Sequence, residues 1–453
     1  MGIGSLIFLL LLIVTSVVFY NRIKFISRNI KLGRDITIND RTKERWITMA
    51  KVALGQSKMV VRPVAGFMHI LIYLGFIIIN IEILEIIIDG LFGTHRVLSE
   101  FLGGGYKLFI NIFEILAIGV LLACVVFLVR RNVIKLKRFW SKEMTSWPRS
   151  DANIILIVEI LLMGAFLIMN AADSILLNTP IDPNLATLGL EHYSGVEMNG
   201  SGFLVSQFII SFLSQDLATL AMIERACWWF HIVGVFAFLI YVTYSKHFHI
   251  FLAFPNTYYS NLNNKGKFKN LEAVKKEVEL MMDPSADPYA NPPEGEQTEV
   301  PKFGAKDIQD LTWKQLMDAY SCTECGRCTS VCPANQTGKL LSPRKIMMDT
   351  RDRMEEYGKG LDKFGKAFKD EKSLLGDYIT HEEVWACTTC NACTEACPVN
   401  IDPLSIIIDL RQHLVMEESA APSELNNMFS NVENNGAPWQ FAQADRMNWA
   451  TEN

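Results

Sequence analysis

The sequence has 453 residues, of which 50% are hydrophobic and 20% are charged, and its formal net charge is −5. This charge balance gives no basic field of the kind that nucleic-acid binding requires, so we expect no nucleic-acid partner. The long apolar runs all lie before residue 255, whereas the later residues are polar, charged and interrupted by proline. The distribution therefore predicts a membrane part followed by a soluble part.

Apolar runs in the first part predict membrane-spanning helices, each of which needs roughly 20 residues to cross a bilayer. Four runs meet this length, at 3–20, 67–88, 108–129 and 154–176, and a fifth follows at 226–244. The stretch 203–223 is also apolar, but Glu224 and Arg225 alone separate it from the fifth run, too few residues to reverse a helix. We therefore predict five spans, with 203–223 as an interfacial or bent lead-in.

The Lys and Arg content of the loops predicts the orientation, because these residues accumulate on the cytoplasmic side. Segments 21–66 and 130–152 hold 11 and 7 of them, whereas 90–106 and 177–225 hold one each. We expect a multi-pass protein of a bacterial or archaeal cytoplasmic membrane, with its N-terminus outside and the soluble part in the cytoplasm. The first run lacks a basic start and a cleavage pattern, which favours a retained anchor.

The segment 283–301 contains five prolines in nineteen residues, a composition typical of an extended linker. The linker separates the membrane part from the cysteine-rich part. We predict a transmembrane domain at 1–255, a charged segment and linker at 256–301, a cysteine-rich domain at 302–420 and a C-terminal tail at 421–453.

Two copies of one cysteine motif lie in the soluble part. Their residues are Cys322, Cys325, Cys328 and Cys332-Pro333, then Cys387, Cys390, Cys393 and Cys397-Pro398. In such a motif the first three thiolates bind one [4Fe-4S] cluster, and the fourth, followed by proline, binds the other cluster. The ligand sets are therefore expected to cross over. Cluster 1 would take Cys322, Cys325, Cys328 and Cys397, and cluster 2 would take Cys387, Cys390, Cys393 and Cys332.

Two other interpretations of these cysteines are a pair of structural zinc sites and a disulfide framework. Zinc sites usually combine C-x-x-C pairs about 12–20 residues apart, which differs from this triplet with a distant fourth cysteine. Disulfides are disfavoured in the reducing cytoplasm. Cys124 and Cys227 lie in predicted spans and are expected to be packing residues.

The soluble part resembles the two-cluster ferredoxin subunit of heterodisulfide-reductase-type complexes, in which SCTECGRCTSVCPAN and CTTCNACTEACPVNIDP bracket a helical insert. The membrane part, with GFMHILIYLGF and CWWFHIVGVFAFLIYVTYSKHFHIFLAFPN, resembles the haem b subunits of those complexes and the gamma subunit of respiratory nitrate reductase. We therefore expect an all-α fold, a five-helix transmembrane bundle followed by a mainly α-helical, bacterial-type di-cluster ferredoxin domain.

Histidines within or beside the spans are the candidate haem ligands, since intramembrane histidine is usually functional. They are His69, His231, His247 and His249. His69 with His247 or His249 is expected to hold one haem b. A second haem at His231 would need another histidine about three turns along the second span, where Asn80 and its neighbours stand instead. The alternative is that these residues are interfacial cations or part of an aromatic belt.

Carboxylates at membrane depth are the candidate proton carriers for a quinone, because isolated acids there are costly. They are Glu82, Glu85, Glu114, Glu159 and Asp173. Glu82 and Glu114 are the predicted proton-path residues. Glu85 and Asp173 would alternatively lie at helix ends in the headgroup zone.

The expected function is electron transfer between the menaquinone or quinone pool and a cytoplasmic partner, through haem b and two [4Fe-4S] clusters. No dinucleotide-binding, P-loop or Ser-His-Asp pattern is present, so a separate catalytic subunit, heterodisulfide-reductase-like or a flavoprotein, is required. The alternatives are a non-catalytic iron–sulfur membrane anchor that docks a dehydrogenase, and a redox sensor. Electron flow in either direction fits the sequence.

Overall fold

The computed structural model describes residues 2–179, 193, 203–268, 270–285 and 302–451. Within these ranges all regular secondary structure is helical, apart from isolated bridges that pair Arg34 with Thr312 and Leu375 with Ile379. The expected all-α class is therefore confirmed.

The first part of the chain consists of long apolar helices joined by shorter ones. These helices are α1 (Ile3–Ile30), α2 (Thr42–Met49), α3 (Pro63–Phe92), α4 (Leu98–Leu102), α5 (Gly105–Leu128), α6 (Trp147–Leu177), α7 (Gln207–Ile210), α8 (Leu217–Val242), α9 (His249–Tyr258) and α10 (Glu272–Met282). In the part of the chain that the structure describes, α1, α3, α5, α6 and α8 are long and apolar enough to cross a membrane. The five predicted spans are thus confirmed as helices of membrane length.

The fifth span begins earlier than predicted. Asp216 caps α8 by accepting a hydrogen bond from a backbone N–H of its first turn at 2.9 Å. The helix then continues through Glu224 and Arg225, so the fifth span includes residues that were assigned to the lead-in. Glu224 is buried in this helix. Its carboxylate accepts hydrogen bonds from Tyr193 and from Arg225, both at 2.5 Å, and these bonds offset the cost of burying the acid. The predicted lead-in at 203–223 therefore contains α7 and the first turns of α8.

The membrane helices pack at small residues and turn apolar side chains outward. α6 packs against α5 and α8, and α3 packs against α5 and α1. A Cβ atom on Gly90 of α3 would lie 2.6 Å from the ring of Phe8 of α1, so only glycine allows this approach. Close contact at small residues is typical of membrane helix pairs.

The second part of the chain is also helical. Its helices are α11 (Trp313–Ser321), α12 (Arg327–Val331), α13 (Pro333–Gln336), α14 (Pro343–Phe364), α15 (His381–Trp385), α16 (Ala392–Ala396), α17 (Pro403–Met416), α18 (Ser423–Asn435) and α19 (Asn448–Thr451). Their starts follow local signals: Thr312 caps α11, and Ser342 caps α14 with Pro343 in its first position. α18 lies in the tail at 421–453, and Phe429 on it is exposed.

The second part, called the cluster half below, packs directly on one end of the membrane helices. α1 extends into this contact, where Asn29 is fully buried and donates to the Tyr320 hydroxyl at 2.9 Å and to the Met354 carbonyl at 3.2 Å. Arg22 of α1 also pairs with Glu355 of α14 at 2.7 Å. We call this end of the membrane half the cluster side and the other end the far side.

The predicted linker at 283–301 lies, after residue 285, outside the described residues. Asn256, at the start of the predicted segment 256–301, lies in α9 and donates to the Val399 carbonyl of the cluster half at 2.9 Å. The contact between the halves therefore includes chain on both sides of the proline-rich segment.

Candidate functional site

The two cysteine motifs adopt the same local backbone. Glu324 and Gly326 in the first motif have φ angles of 51° and 70°, and Thr389 and Asn391 at the same positions of the second have 55° and 60°. Left-handed residues at two places fold each C-x-x-C-x-x-C segment into a tight loop. The internal repeat is therefore one of structure as well as of sequence.

The four cysteines assigned to cluster 1 come together. Cys322, Cys325 and Cys328 of the first motif line one small pocket of about 20 Å³, and Cys397 of the second motif completes it. The pocket forms because α12, which carries Cys328, packs against α16, which ends just before Cys397. The structure thus places the fourth thiol of one motif beside the triplet of the other.

The cysteines assigned to cluster 2 are neighbours as well. Burial raises the pKa of Cys387, and the nearby thiols of Cys332 and Cys390 raise it further. Cys387 in turn lies close enough to Cys393 to raise the pKa of that thiol, after burial. Cys390 is exposed, so this second site comes closest to the protein surface there.

The buried thiols suit iron binding rather than free thiol chemistry. Burial raises the pKa values of Cys322, Cys393 and Cys397 to about 12, so these thiols are neutral without a metal. Iron binds thiolates and displaces their protons. The backbone N–H of Ile401 donates to the sulfur of Cys397 at 3.3 Å, a type of bond that tunes cluster potentials.

The arrangement differs from a site for one ion. Among the described residues, no three His, Cys, Asp or Glu side chains converge on a point where a single metal ion would bind. In a four-iron cluster each iron takes one thiolate, so the four sulfurs stand apart around the cluster.

A buried carboxylate joins the first cysteine motif to the end of the fifth span. Glu324 is 3% exposed and accepts hydrogen bonds from Arg351 at 2.8 Å and from Lys246. Burial would raise the pKa of Glu324, but Arg351 and Lys246 together hold it below its usual value. Lys246 directly precedes His247, so this ion pair connects the loop of cluster 1 to the histidines of the membrane half.

A cavity of about 420 Å³ lies between the membrane helices and the first cysteine motif. All four candidate histidines line it: His69 on α3, His231 on α8, and His247 and His249 after the fifth span. Cys325 lines the same cavity, which therefore reaches a cysteine assigned to cluster 1. The cations at this end are Arg130, Arg131, Arg138, Lys246 and Arg327.

Two histidines from different helices face each other in the cavity. The ring centroids of His69 and His249 lie 6.5 Å apart, with planes tilted by 41°. Nδ1 of His249 donates to the Lys246 carbonyl at 3.1 Å, which leaves a lone pair on Nε2. Nδ1 of His69 is buried and has no hydrogen-bond partner among the described residues. Burial lowers the pKa of His247 to about 3 and also lowers that of His249, so both rings are neutral.

His231 lies apart from these three histidines, farther from the cluster half. Its Nδ1 donates to the Leu162 carbonyl of α6 at 3.0 Å, so its Nε2 also keeps a lone pair. Residues 79–81 on α3, where a second histidine would be needed, are Ile79, Asn80 and Ile81.

The predicted proton-path residues lie in a buried polar network at the far side. Arg96 is 5% exposed and pairs with Glu82 at 3.3 Å and with Asp173 at 2.8 Å. Asn170 donates to Glu114 at 3.2 Å and accepts from Arg96 at 2.6 Å. In the sequence Arg96 counts only as a loop charge, which does not indicate its place in this network. The signal that could have found it is the group of intramembrane acids, which require a buried cation as their partner.

His95 is a further member of this network. A surface or loop role is expected for it from the sequence, and it lies in a loop, but it is buried and pairs with Asp173 at 2.9 Å.

His413 lies in the cluster half, where a surface or loop role is also expected from the sequence. It is only 6% exposed and pairs with Glu418 at 3.2 Å. His192 lies outside the described residues.

The cysteine motifs fall within a recognised family. Residues 321–401 match the family described as a 4Fe-4S dicluster domain, and this range contains all eight motif cysteines. The fold and the site therefore define an iron–sulfur protein with a dicluster domain and five helices of membrane length.

Similar proteins cover both halves of the chain. It is 29% identical over 476 residues to the probable iron-sulfur-binding oxidoreductase FadF of Bacillus subtilis, an alignment of 98% of this chain and 61% of that protein. It is 26% identical over 472 residues to the EtfAB:quinone oxidoreductase of Syntrophomonas wolfei, covering 99% of this chain and 59% of that protein. The chain thus spans about 60% of the length of these two relatives.

The resemblance to heterodisulfide reductase holds for the dicluster region. One polypeptide of the dihydromethanophenazine:CoB–CoM heterodisulfide reductase of Methanosarcina mazei is 32% identical over 148 residues, or 32% of this chain and 35% of that protein. No solved structure matches the chain. The homologues support an iron–sulfur electron-transfer protein.

Proposed function

We propose that this chain carries electrons between the menaquinone or quinone pool and a cytoplasmic redox partner, through haem b and two [4Fe-4S] clusters. The observation that carries the proposal is the cavity that contains His69 and His249 and also reaches Cys325. The relative named EtfAB:quinone oxidoreductase, similar over nearly the whole chain, supports quinone as the membrane reactant.

The cavity residues suit a haem b. Two neutral imidazoles that face each other from different helices would hold a haem iron between them. The observed separation between His69 and His249 is 6.5 Å. Arg130, Arg131 and Arg138 line the same end of the cavity and would supply cations for the haem carboxylates. His69 and His249 would hold the haem, which supplies a one-electron carrier beside cluster 1.

The positions of the cysteines support an order for the two clusters. Cluster 1 borders the cavity through Cys325, whereas cluster 2 approaches the surface at Cys390. We propose that cluster 1 exchanges electrons with the membrane half and that cluster 2 exchanges them with the partner. The partner is a catalytic subunit, heterodisulfide-reductase-like or a flavoprotein. The loop charges favour the cytoplasmic side of a bacterial or archaeal membrane for this partner.

The role of Glu82 and Glu114 in proton transfer stays a prediction. Both side chains have fixed partners, Arg96 and Asn170. One oxygen of Glu82, Oε2, is buried without a hydrogen-bond partner among the described residues. Of Glu82 and Glu114, Glu82 is therefore the one with a carboxylate oxygen that is free to take a proton.

Cofactor analysis of the anaerobically purified chain tests the proposal. Iron, acid-labile sulfide and pyridine-haemochrome assays on one sample are expected to give about eight non-haem irons and at least one haem b per chain. His249→Ala is expected to lose haem b and keep its non-haem iron. His381→Ala is the control, because His381 is exposed on the cluster half. Clusters without haem in the unmodified chain would refute the haem assignment and favour an iron–sulfur anchor or sensor.

A further inference from the structure

Glu159 is an unpaired carboxylate inside the membrane half. It lies within the apolar part of α6 and lines the same cavity as the histidines. Among the described residues it has no hydrogen-bond or ion-pair partner, unlike Glu82 and Glu114 at the far side. An ionisable group at this depth is costly to keep and is typical of proton-linked function.

The cavity is longer than one haem site requires. Its lining residues on α3 run from Ala65 to Ile83, about 27 Å of helix, which approaches the roughly 30 Å of a bilayer core. His69 and His249 lie together at the cluster side, and His231 has no histidine opposite it. The part of the cavity beside His231 therefore has room for a second molecule.

Glu159 and His231 belong to this same part. Leu162, which accepts the hydrogen bond from His231, follows Glu159 by three residues, nearly one helical turn. Nε2 of His231 is then a hydrogen-bond acceptor. Cys124 of α5 lies beside Glu159, and Tyr73 of α3 lines the cavity as well. These are the ionisable groups that the neighbouring helices contribute to the membrane part of the cavity.

The cavity also reaches the lipid-facing surface. Ile77 lines it and is 47% exposed. Ile77 shares a helical stripe with Ile81 and Leu84, which are 41% and 60% exposed and face the lipid. A molecule dissolved in the bilayer therefore has an entrance beside α3.

We propose that a quinone headgroup binds beside His231 and that Glu159 exchanges protons with its oxygens. This inference rests on the proposed electron-transfer function. When the quinol is oxidised, its two O–H bonds break in turn. Each proton passes to the Glu159 carboxylate and then to water at the cation-lined cluster side. The two electrons pass singly into the relay, whose final oxidant is the soluble partner. Quinone reduction reverses every transfer.

His231 is a positioning residue in this site, because its Nε2 accepts a hydrogen bond from a quinol hydroxyl and so orients the ring. The site also fixes the side of proton exchange. Protons of a quinone bound here are released toward, or taken from, the cluster side.

The test uses the full chain with its clusters and haem, reconstituted in lipid nanodiscs and mixed with menadiol in a stopped-flow instrument. Glu159→Gln is compared with the unmodified chain and with Glu100→Gln, an exposed glutamate in α4. Glu159→Gln is expected to slow quinol-driven reduction about 100-fold, the loss typical of removing a proton-transfer group. The remaining rate is expected to be independent of pH. Dithionite reduction, iron and haem content are expected to be unchanged, and Glu100→Gln is expected to match the unmodified chain.

The outcomes separate this inference from the proposed function. If menadiol does not reduce the unmodified chain and menadione does not oxidise the dithionite-reduced chain, the proposed function fails and this inference fails with it. If either reaction occurs and Glu159→Gln keeps its full rate and the same pH profile, only this inference is overturned. His231→Phe is expected to raise the KM for menadiol without loss of haem, and loss of a haem in that variant would also overturn the inference.

Discussion

Replacing Glu324 by glutamine is expected to raise the reduction potential of cluster 1 and leave that of cluster 2 nearly unchanged. Glu324 is 3% exposed, directly precedes Cys325 and is ion-paired with Arg351 and Lys246. A buried negative charge beside a cluster opposes the addition of an electron, so its removal stabilises the reduced cluster. Glutamine has nearly the same volume, which keeps the loop packed.

The size of the shift follows from the position of the carboxylate. A side chain one residue from a cluster ligand lies roughly 7–10 Å from the cluster centre, about two Cα–Cα steps. At an effective dielectric constant of about 20, one charge at that distance contributes roughly 1.7–2.4 kcal/mol. For a one-electron couple this corresponds to about 70–100 mV. Reorientation of Arg351 and Lys246 reduces the shift, so this range is an upper bound.

Redox titration followed by electron paramagnetic resonance measures both clusters in one sample. Glu395→Gln is the matched control, because Glu395 lies in the second motif but its side chain is 66% exposed and paired with Lys265. Water and salt limit its effect to about 20 mV or less. Equal shifts in the two variants, or a shift confined to cluster 2 in Glu324→Gln, would refute the assigned position of Glu324.

Three further substitutions test the site and the contact between the halves. Cys332→Ser lies in the first motif but is expected to remove cluster 2, the cluster that Glu324→Gln does not shift; loss of cluster 1 alone would contradict the crossed ligand sets. His247→Ala is expected to keep its haem spectrum, whereas His249→Ala loses it, because the ring of His249 faces His69; the opposite result would assign the ligand to His247. Gly358→Ala places a Cβ against the buried Asn29 side chain and is expected to destabilise the contact by about 1–3 kcal/mol. Urea unfolding followed by cluster absorbance measures this change, with Gly164→Ala, which meets nothing within 4 Å, as the control; equal midpoints would show that the halves do not pack through α1.

The position of Cys397 beside the first triplet could be predicted because the motif occurs twice, and in such a pair the fourth cysteine of one copy serves the cluster of the other. Spacing alone assigned Cys397 to the first triplet, and the structure places it there. The link between Glu324 and Lys246 could not be predicted in this way, since the two residues are 78 positions apart and meet only when the halves pack. No local pattern marks either residue as part of an ion pair.

The membrane half shows the same limit. Hydropathy located five helices but began the last at residue 226, because an average over neighbours ignores partners such as Tyr193 that make a buried acid at Glu224 acceptable. The choice between His247 and His249 was also open from the sequence. It depends on the turn before α9, in which His249 bonds the Lys246 carbonyl and its ring faces His69.

The most direct test of the electron relay is the time course of reduction of the purified chain by menadiol, recorded for haem and clusters in the same sample. The relay requires haem absorbance to change first, cluster 1 next and cluster 2 last, with the electrons leaving cluster 2 when an oxidised acceptor is added. His249→Ala is expected to abolish cluster reduction by menadiol and preserve reduction by dithionite. Clusters that menadiol reduces at the full rate in the absence of haem would contradict the account.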